Sequence, residues 1–295
     1  MIGFIGLGEV VRAMAAGIRE KTGENVVALY RPTISQRNFE DAREAGIDVV
    51  TNAEELAARA SVIFSAVTPM TAGEVCRNVA PHLTSEHLYV DCNSVTMQQK
   101  IENARFAEAS EADFVDAALF GVVAELRQAT PIIASGRHAA RLMPISKHYG
   151  MNVRIAGPEV GQASAIKMLR SVIFKGMAAL FIESLTVSQK IGVSNQVIDT
   201  IQETYPDLQW KEFIQIFISR TILHAGRRAE ELGNCAQTLQ EVGGYADMSL
   251  AGVTALQRLA GYNLETAIGV RDQDLDSILS ILNDAYFQKP INRTG

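Results

Sequence analysis

Cysteine is scarce in this sequence: Cys76, Cys92 and Cys235 are the three in 295 residues. They lie far apart and form no C-x-x-C pair, which excludes a disulfide framework and leaves them as small buried residues of a reducing compartment. Five histidines (His82, His87, His138, His148 and His224) show no H-x-x-x-H or similar spacing, so no metal site is expected. A basic excess is also missing. With 27 Lys and Arg against 33 Asp and Glu, the net charge of −6 argues against a nucleic-acid partner. Long charge-free apolar runs are absent too. The most apolar internal stretch, SVIFKGMAALFIESLTV, carries Lys175 and Glu183 and is too short and too charged to span a membrane. The first residues lack a basic leader region and are interrupted by Gly3, Gly6 and Gly8, unlike a signal peptide. A soluble protein of the cytoplasm is the expectation.

What remains is ordinary globular composition, 47% hydrophobic and 20% charged, in a chain long enough for two domains. Up to residue 157, short β-rich runs (IGFIG, NVVALY, IDVV, SVIFSAV, HLYVD, DFVDA, PIIAS, MNVRIA) alternate with stretches of helical length such as ISQRNFEDAREA and MQQKIENARFAEA. That rhythm predicts βαβ units and a mostly parallel, doubly wound sheet over 1–157. After Gly157-Pro158 the pattern becomes helical. A single candidate helix of roughly thirty residues begins at GQASAIKMLRS, with apolar residues on more than one face, as in a buried or interface helix. WKEFIQIFISRTILHAGRRAEELG reads as one further helix and CAQTLQEVG as another, within an all-helical domain over 158–295.

The chemistry gathers at the strand ends. Gly6-Leu7-Gly8 follows the first strand, with Glu9 and Val10 opening the next helix. A dinucleotide-binding turn needs its first glycine for unusual backbone angles and its second to let the backbone approach a pyrophosphate. The helix start then offers unpaired N–H groups to the phosphates. Val11 stands where the third glycine of the fingerprint is expected. The second strand ends in Arg31, Thr33, Ser35 and Arg37 rather than in an acid, a set that suits a ribose 2′-phosphate and favours NADP(H) over NAD(H). Val67, Thr68 and Pro69 end the fourth strand, leaving room for a nicotinamide. Asn93 and Ser94 end the fifth and can orient a substrate. In the long helix, Lys167, Arg170 and Ser171 share a face, and Lys175 stands two turns beyond Lys167. A lysine in an apolar helix, placed in a cleft, suits general acid–base work. Each feature also has a plainer reading: a tight turn, a solvated arginine pair, turn-forming Asn and Ser, a snorkelling lysine.

Taken in order, GFIGLGEVVRAMA, SAVTP, DCNSV, FVDAALFG, PIIASG and GQASAIKMLRS resemble the β-hydroxyacid dehydrogenases, the relatives of 3-hydroxyisobutyrate and 6-phosphogluconate dehydrogenases. The resemblance covers essentially the whole chain. KMLRSVIFKGMAALFIESL and HAGRRAEEL look like a branch with a distinctive helical C-terminal domain and often no assigned substrate. The resemblance implies a Rossmann-type domain followed by an all-α domain, and hydride transfer between NADP(H) and a small hydroxy acid or its keto form. Lys167 matches the family's catalytic lysine. Gly6, Gly8 and Arg31 match cofactor positions, while Asn93, Ser94 and Gly121 match substrate positions. Phe120 and Val122 replace small residues flanking Gly121, and Ser171 replaces an asparagine. Arg170 and Lys175 then add positive charge for a small anionic substrate, and the long helix implies a homodimer. Two alternatives stay open: reduction of an imine on the same cofactor, and a non-catalytic NADP-binding sensor, for which Val11 and Phe120 speak.

Overall fold

The computed structural model describes residues 1–29, 36–264 and 274–288, without the side chains of 36–38 and 288. It divides into two compact units, Met1–Met168 and Leu169–Gly295.

The first unit is built on an eight-stranded sheet: β1 (Ile2–Ile5), β2 (Val26–Leu29), β3 (Ile47–Val50), β4 (Val62–Ser65), β5 (Leu88–Asp91), β6 (Asp113–Leu119), β7 (Pro131–Ser135) and β8 (Asn152–Gly157). Each strand coincides with one of the apolar runs read from the sequence. Their order is β3-β2-β1-β4-β5-β6-β7-β8, and every pairing is parallel except β6 with β7. Helices α1 (Glu9–Thr22), α2 (Gln36–Glu44), α3 (Ala53–Arg59), α4 (Pro69–Val79), α5 (Met97–Glu108), α6 (Val123–Leu126) and α7 (Leu142–Tyr149) fill the connections.

The apolar runs are continuous because both faces of the sheet are covered, as parallel sheets require. Ile2, Phe4, Val26 and Ala28 pack with Val11, Met14 and Ile18 of α1 on one face. Ile5, Val27, Ile63 and Tyr89 pack with Leu56 of α3 and Val75 of α4 on the other. The order of strands reverses between β1 and β4, which places the ligand crevice of such a sheet beyond the carboxyl ends of these two strands.

One row of this sheet is polar. Ser65, Asp91, Asp116 and Ser135 stand opposite one another across β4, β5, β6 and β7, and all four are fully buried.

The long helix α8 (Gln162–Lys190) starts in the first unit and continues into the second, which also holds α9 (Ser194–Thr204), α10 (Trp210–Ile222), α11 (Ala225–Glu241), α12 (Asp247–Ala260) and α13 (Leu275–Gln288). Here the structure corrects the sequence reading. The stretch 210–233 breaks at Leu223-His224, and 235–243 belongs mostly to α11 instead of forming a helix of its own. His224 N–H reaches back only to Thr221 O, closing α10 with a tight last turn, and its own backbone (φ −138°, ψ 30°) is not helical. Neither Leu223 nor His224 is Gly or Pro, and Gly226 falls inside the first turn of α11, so the apolar period that runs through the stretch hides the break. None of the described helices is long and apolar enough to cross a membrane.

Val11 is wholly buried in the core against the sheet. Restoring the fingerprint glycine with Val11→Gly removes that packing and adds a flexible residue to a helix. The expected cost is about 2–4 kcal/mol in urea unfolding; a variant as stable as the parent would show that Val11 does not anchor α1.

A candidate cofactor and substrate site at the strand ends

Beyond β1, Gly6 adopts φ +110°, and a Cβ there would stand 2.6 Å from the Ala66 carbonyl oxygen. Only glycine fits that backbone and that approach. Leu7 turns inward and is buried. Gly8 is different: its backbone is ordinary extended chain, and a Cβ would meet nothing within 4 Å. The glycine therefore keeps a space clear in front of α1. No side chain caps the first turn of that helix, which leaves its first N–H groups available to a ligand. Exposed Glu9 and half-buried Val10 complete the turn. These features fit a dinucleotide pyrophosphate, and Val11, inside the core, does not intrude on it. Arg31 and Thr33 lie outside the described residues, as does the side chain of Arg37.

The end of β4 is held by a clasp. Asn93 Oδ1 accepts the Val67 N–H at 2.7 Å, while Asn93 Nδ2 donates to Ser65 Oγ at 3.0 Å and to Asp91 Oδ1 at 2.7 Å. The Asn93 N–H also donates to Asp91 Oδ1, at 2.9 Å. Both amide donors are thus engaged with protein groups, and Asn93 is almost completely buried. Thr68 precedes α4, and Pro69 occupies its first turn, where a missing N–H costs nothing.

The clasp is anchored on a buried ionic cluster that the sequence reading missed. Lys100 of α5 has no exposure, and its ammonium donates to Asp91 O at 2.5 Å and to Asp91 Oδ1 at 2.9 Å, and lies 3.2 Å from Asp116 Oδ1. The ammonium thus makes two hydrogen bonds to Asp91 and an ion pair with Asp116. Asn103 Nδ2 donates to Asp91 Oδ2 at 2.8 Å. Burial by itself pulls the ammonium's pKa down, but the two aspartates outweigh it and hold Lys100 above the ordinary lysine value. The signal in the sequence was an acid inside each of two otherwise apolar strands, HLYVD and FVDAAL, because a buried charge calls for a partner.

Asp116 carries the cluster to α8. Its Oδ2 accepts the Ser164 N–H at 2.9 Å and the Ser135 hydroxyl at 3.2 Å, and its Oδ1 accepts the Ser164 hydroxyl at 2.6 Å. Ser135 Oγ in turn accepts the Ala163 N–H at 2.9 Å. Two of the first-turn donors of α8, the Ala163 and Ser164 N–H groups, are therefore satisfied from the sheet, with an anion at the positive end of the helix dipole. One turn later, Lys167 Nζ donates to Ser94 Oγ at 2.8 Å. Lys167 and Ser94, separated by 73 positions in sequence, are thus brought together at the carboxyl end of β5.

Gly121, beyond β6, has φ +103° and is exposed between half-buried Phe120 and exposed Val122. Phe120 packs against Ala118, Ile133 and Ala163. The remaining residues singled out from the sequence belong to the second unit. The Arg170 guanidinium lies over the Phe174 ring at 4.6 Å, and Ser171 is half-buried. Lys175, 8% exposed, pairs with Glu231 of α11 at 3.1 Å. Cys76, Cys92 and Cys235 are buried, and burial pushes the thiols of Cys76 and Cys92 up to about 12, which makes them inert at neutral pH. Among the described residues, no group of His, Cys, Asp and Glu has the arrangement to hold a metal ion.

A glycine turn before an uncapped helix, at the switch point of a doubly wound sheet, defines a nucleotide-binding domain. The sequence profile of the NAD-binding domain of 6-phosphogluconate dehydrogenase matches residues 1–157, and the chain belongs to that family. A second profile, of a domain of unknown function (DUF1932), matches residues 189–259. A conserved hypothetical protein from Sinorhizobium meliloti is 29% identical, with a TM-score of 0.81 over 96% of each chain. The conserved protein MTH1747 of unknown function, described as similar in structure to 3-hydroxyacid dehydrogenases, is 32% identical with a TM-score of 0.77, over 90% of this chain and 98% of its own. The Mycobacterium tuberculosis 3-hydroxyisobutyrate dehydrogenase, 19% identical, shares the fold with a TM-score of 0.71 over 95% of this chain and 98% of its own.

Replacing Lys100 with Met leaves Asp91 and Asp116 buried without their cation. Lys100→Met should cost about 3–5 kcal/mol in denaturant unfolding at pH 7; a loss below about 1 kcal/mol would mean that the cluster holds its charge without the lysine.

Proposed function

We propose that the protein is an NADP-dependent oxidoreductase that interconverts a small hydroxy acid and its keto form, with Lys167 as the general acid–base group. The observation that carries this reading is the 2.8 Å bond from Lys167 Nζ to Ser94 Oγ at the end of the strand next to β4. It puts a titratable amine beside a hydroxyl at the sheet edge where the glycine turn opens. The cofactor, when bound, supplies or accepts the hydride.

The chain's own groups do the rest. In oxidation Lys167, unprotonated, takes the proton of the substrate alcohol; in reduction it returns that proton to the carbonyl oxygen. Ser94 holds the lysine and the reacting oxygen in one place, which supplies the orientation on which proton transfer depends. Asn93 keeps Val67, Thr68 and Pro69 in position as the floor for the nicotinamide. Gly121 offers backbone to the substrate. On α8, Arg170 and Ser171 follow Lys167 by about one turn and serve the substrate's acid group. Lys175, two turns beyond Lys167 and paired with Glu231, adds further positive charge. Arg31, Thr33 and Arg37, by their residue types, support a 2′-phosphate and hence NADP(H) over NAD(H).

A second copy of the chain is the proposed partner. Ile166, Leu169, Ile173, Leu180 and Val187 are each 41–61% exposed on α8. Their spacing of three, four, seven and seven repeats the seam of paired helices. Light scattering should give twice the mass of one chain, and a monomer at micromolar concentration would remove this support.

The first test is a fluorescence titration with NADPH and NADH. NADPH is expected to bind more tightly, and Arg31→Asp to weaken NADPH much more than NADH; equal weakening would sink the 2′-phosphate assignment. Lys167→Ala should then lower turnover of the best hydroxy acid by roughly 10²–10⁴-fold while cofactor binding persists. Unchanged turnover would remove Lys167 from the reaction.

A further inference from the structure

Lys167 reaches Ser94 only if the start of α8 is held at one height and one rotation above the sheet. Lys167 lies one turn into the helix, so a small shift of that first turn displaces its amine. The first turn is bound to the sheet by one carboxylate. Asp116 grips Ser164 twice, through its N–H at 2.9 Å and its hydroxyl at 2.6 Å, and receives Ser135, which holds the Ala163 N–H. Ser164 precedes Lys167 by three residues and Ala163 by four, so both lie on the lysine's own side of the helix.

Stability does not account for this arrangement. Two carboxylates and one ammonium, all without exposure, cost more to desolvate than their attraction reliably returns, and apolar replacements of such clusters are often at least as stable. What the cluster does uniquely is connect two places. Through Lys100, Asp116 shares a cation with Asp91, and Asp91 holds Asn93, which holds Val67. The end of β4 and the start of α8 are thereby registered on a single set of charges.

We infer that Asp116 is a positioning residue: by clamping Ser164 it sets α8 so that the Lys167 amine meets Ser94, and through Lys100 it keeps that amine in register with the Asn93 clasp. The inference rests on Lys167 being the reacting group. Asp116 itself touches neither substrate nor cofactor.

The test uses Ser164→Ala, which deletes the shorter of the two grips and leaves the ionic cluster whole, and Ser164→Thr, which keeps the hydroxyl. The full-length proteins are labelled with trinitrobenzenesulfonate, and the rate at each lysine is read by peptide mapping. Fully buried Lys100 and exposed Lys147 serve as internal references. Ser164→Ala should label Lys167 several-fold faster, with Lys100 still protected and Lys147 unchanged, and Ser164→Thr should restore the parent rate. In the keto-acid reduction assay, kcat should fall on the order of tenfold in Ser164→Ala while KM for NADPH stays put. An unchanged labelling rate at Lys167 would overturn the inference. So would labelling of Lys100 alongside it, because the clamp would then be holding the core and not the lysine. If the parent protein turns over no hydroxy acid, the dehydrogenase reading fails, and the labelling rates still decide whether Asp116 positions Lys167.

Discussion

The structure of the first unit depends on Lys100, an ammonium without access to water, held between Asp91 and Asp116. Charges in such a place are tolerable only when every proton and lone pair has a partner, and here nearly all of them do. Through these two aspartates and Asn93 the network reaches β4, β5, β6, β7, α5 and the start of α8, and so ties six elements together. A hydrophobic core does this less specifically, because apolar contacts survive a sliding shift of an ångström and short hydrogen bonds do not.

The polar row includes the last residues of β4 and β5, Ser65 and Asp91, where the chain emerges to form the ligand crevice. The crevice itself is built from opposite materials. On the β1 side, Gly6 and Gly8 remove side chains, and the first N–H groups of α1 are left available to a ligand. On the β5 and β6 side, buried carboxylates hold side chains rigidly. An anion is best met by unencumbered backbone dipoles, and a proton transfer by a fixed side chain. The two halves of the crevice thus have the physical properties that the proposed division of labour requires.

Much of this was legible beforehand. Eight apolar runs became eight strands, because a sheet covered on both faces needs continuous apolar stretches, and those are visible one at a time. The glycine turn was legible because φ +110° at Gly6 and the open space at Gly8 are met by residue type alone. Lys167 stood out because it interrupts an apolar helix. The break between α10 and α11 was not legible, since its closing turn uses Leu223 and His224, residues that fit a helix equally well. Nor was the part Val11 plays: a departure from a fingerprint turned out to be a core residue of α1.

The sequence by itself determined the succession of strands along the chain, the glycines of the turn, and the family, because these depend on local periodicity and on residues whose backbone demands are their own. Tertiary structure alone decided which polar groups meet. Ser65, Asp91, Asp116 and Ser135 are spread over 71 positions, and nothing local states that they form a row. Sheet register brings them to one level, and burial then forces Lys100, Asn93 and Ser164 to answer them. A buried charge announces in the sequence that it needs a partner; which partner it finds is settled by the fold.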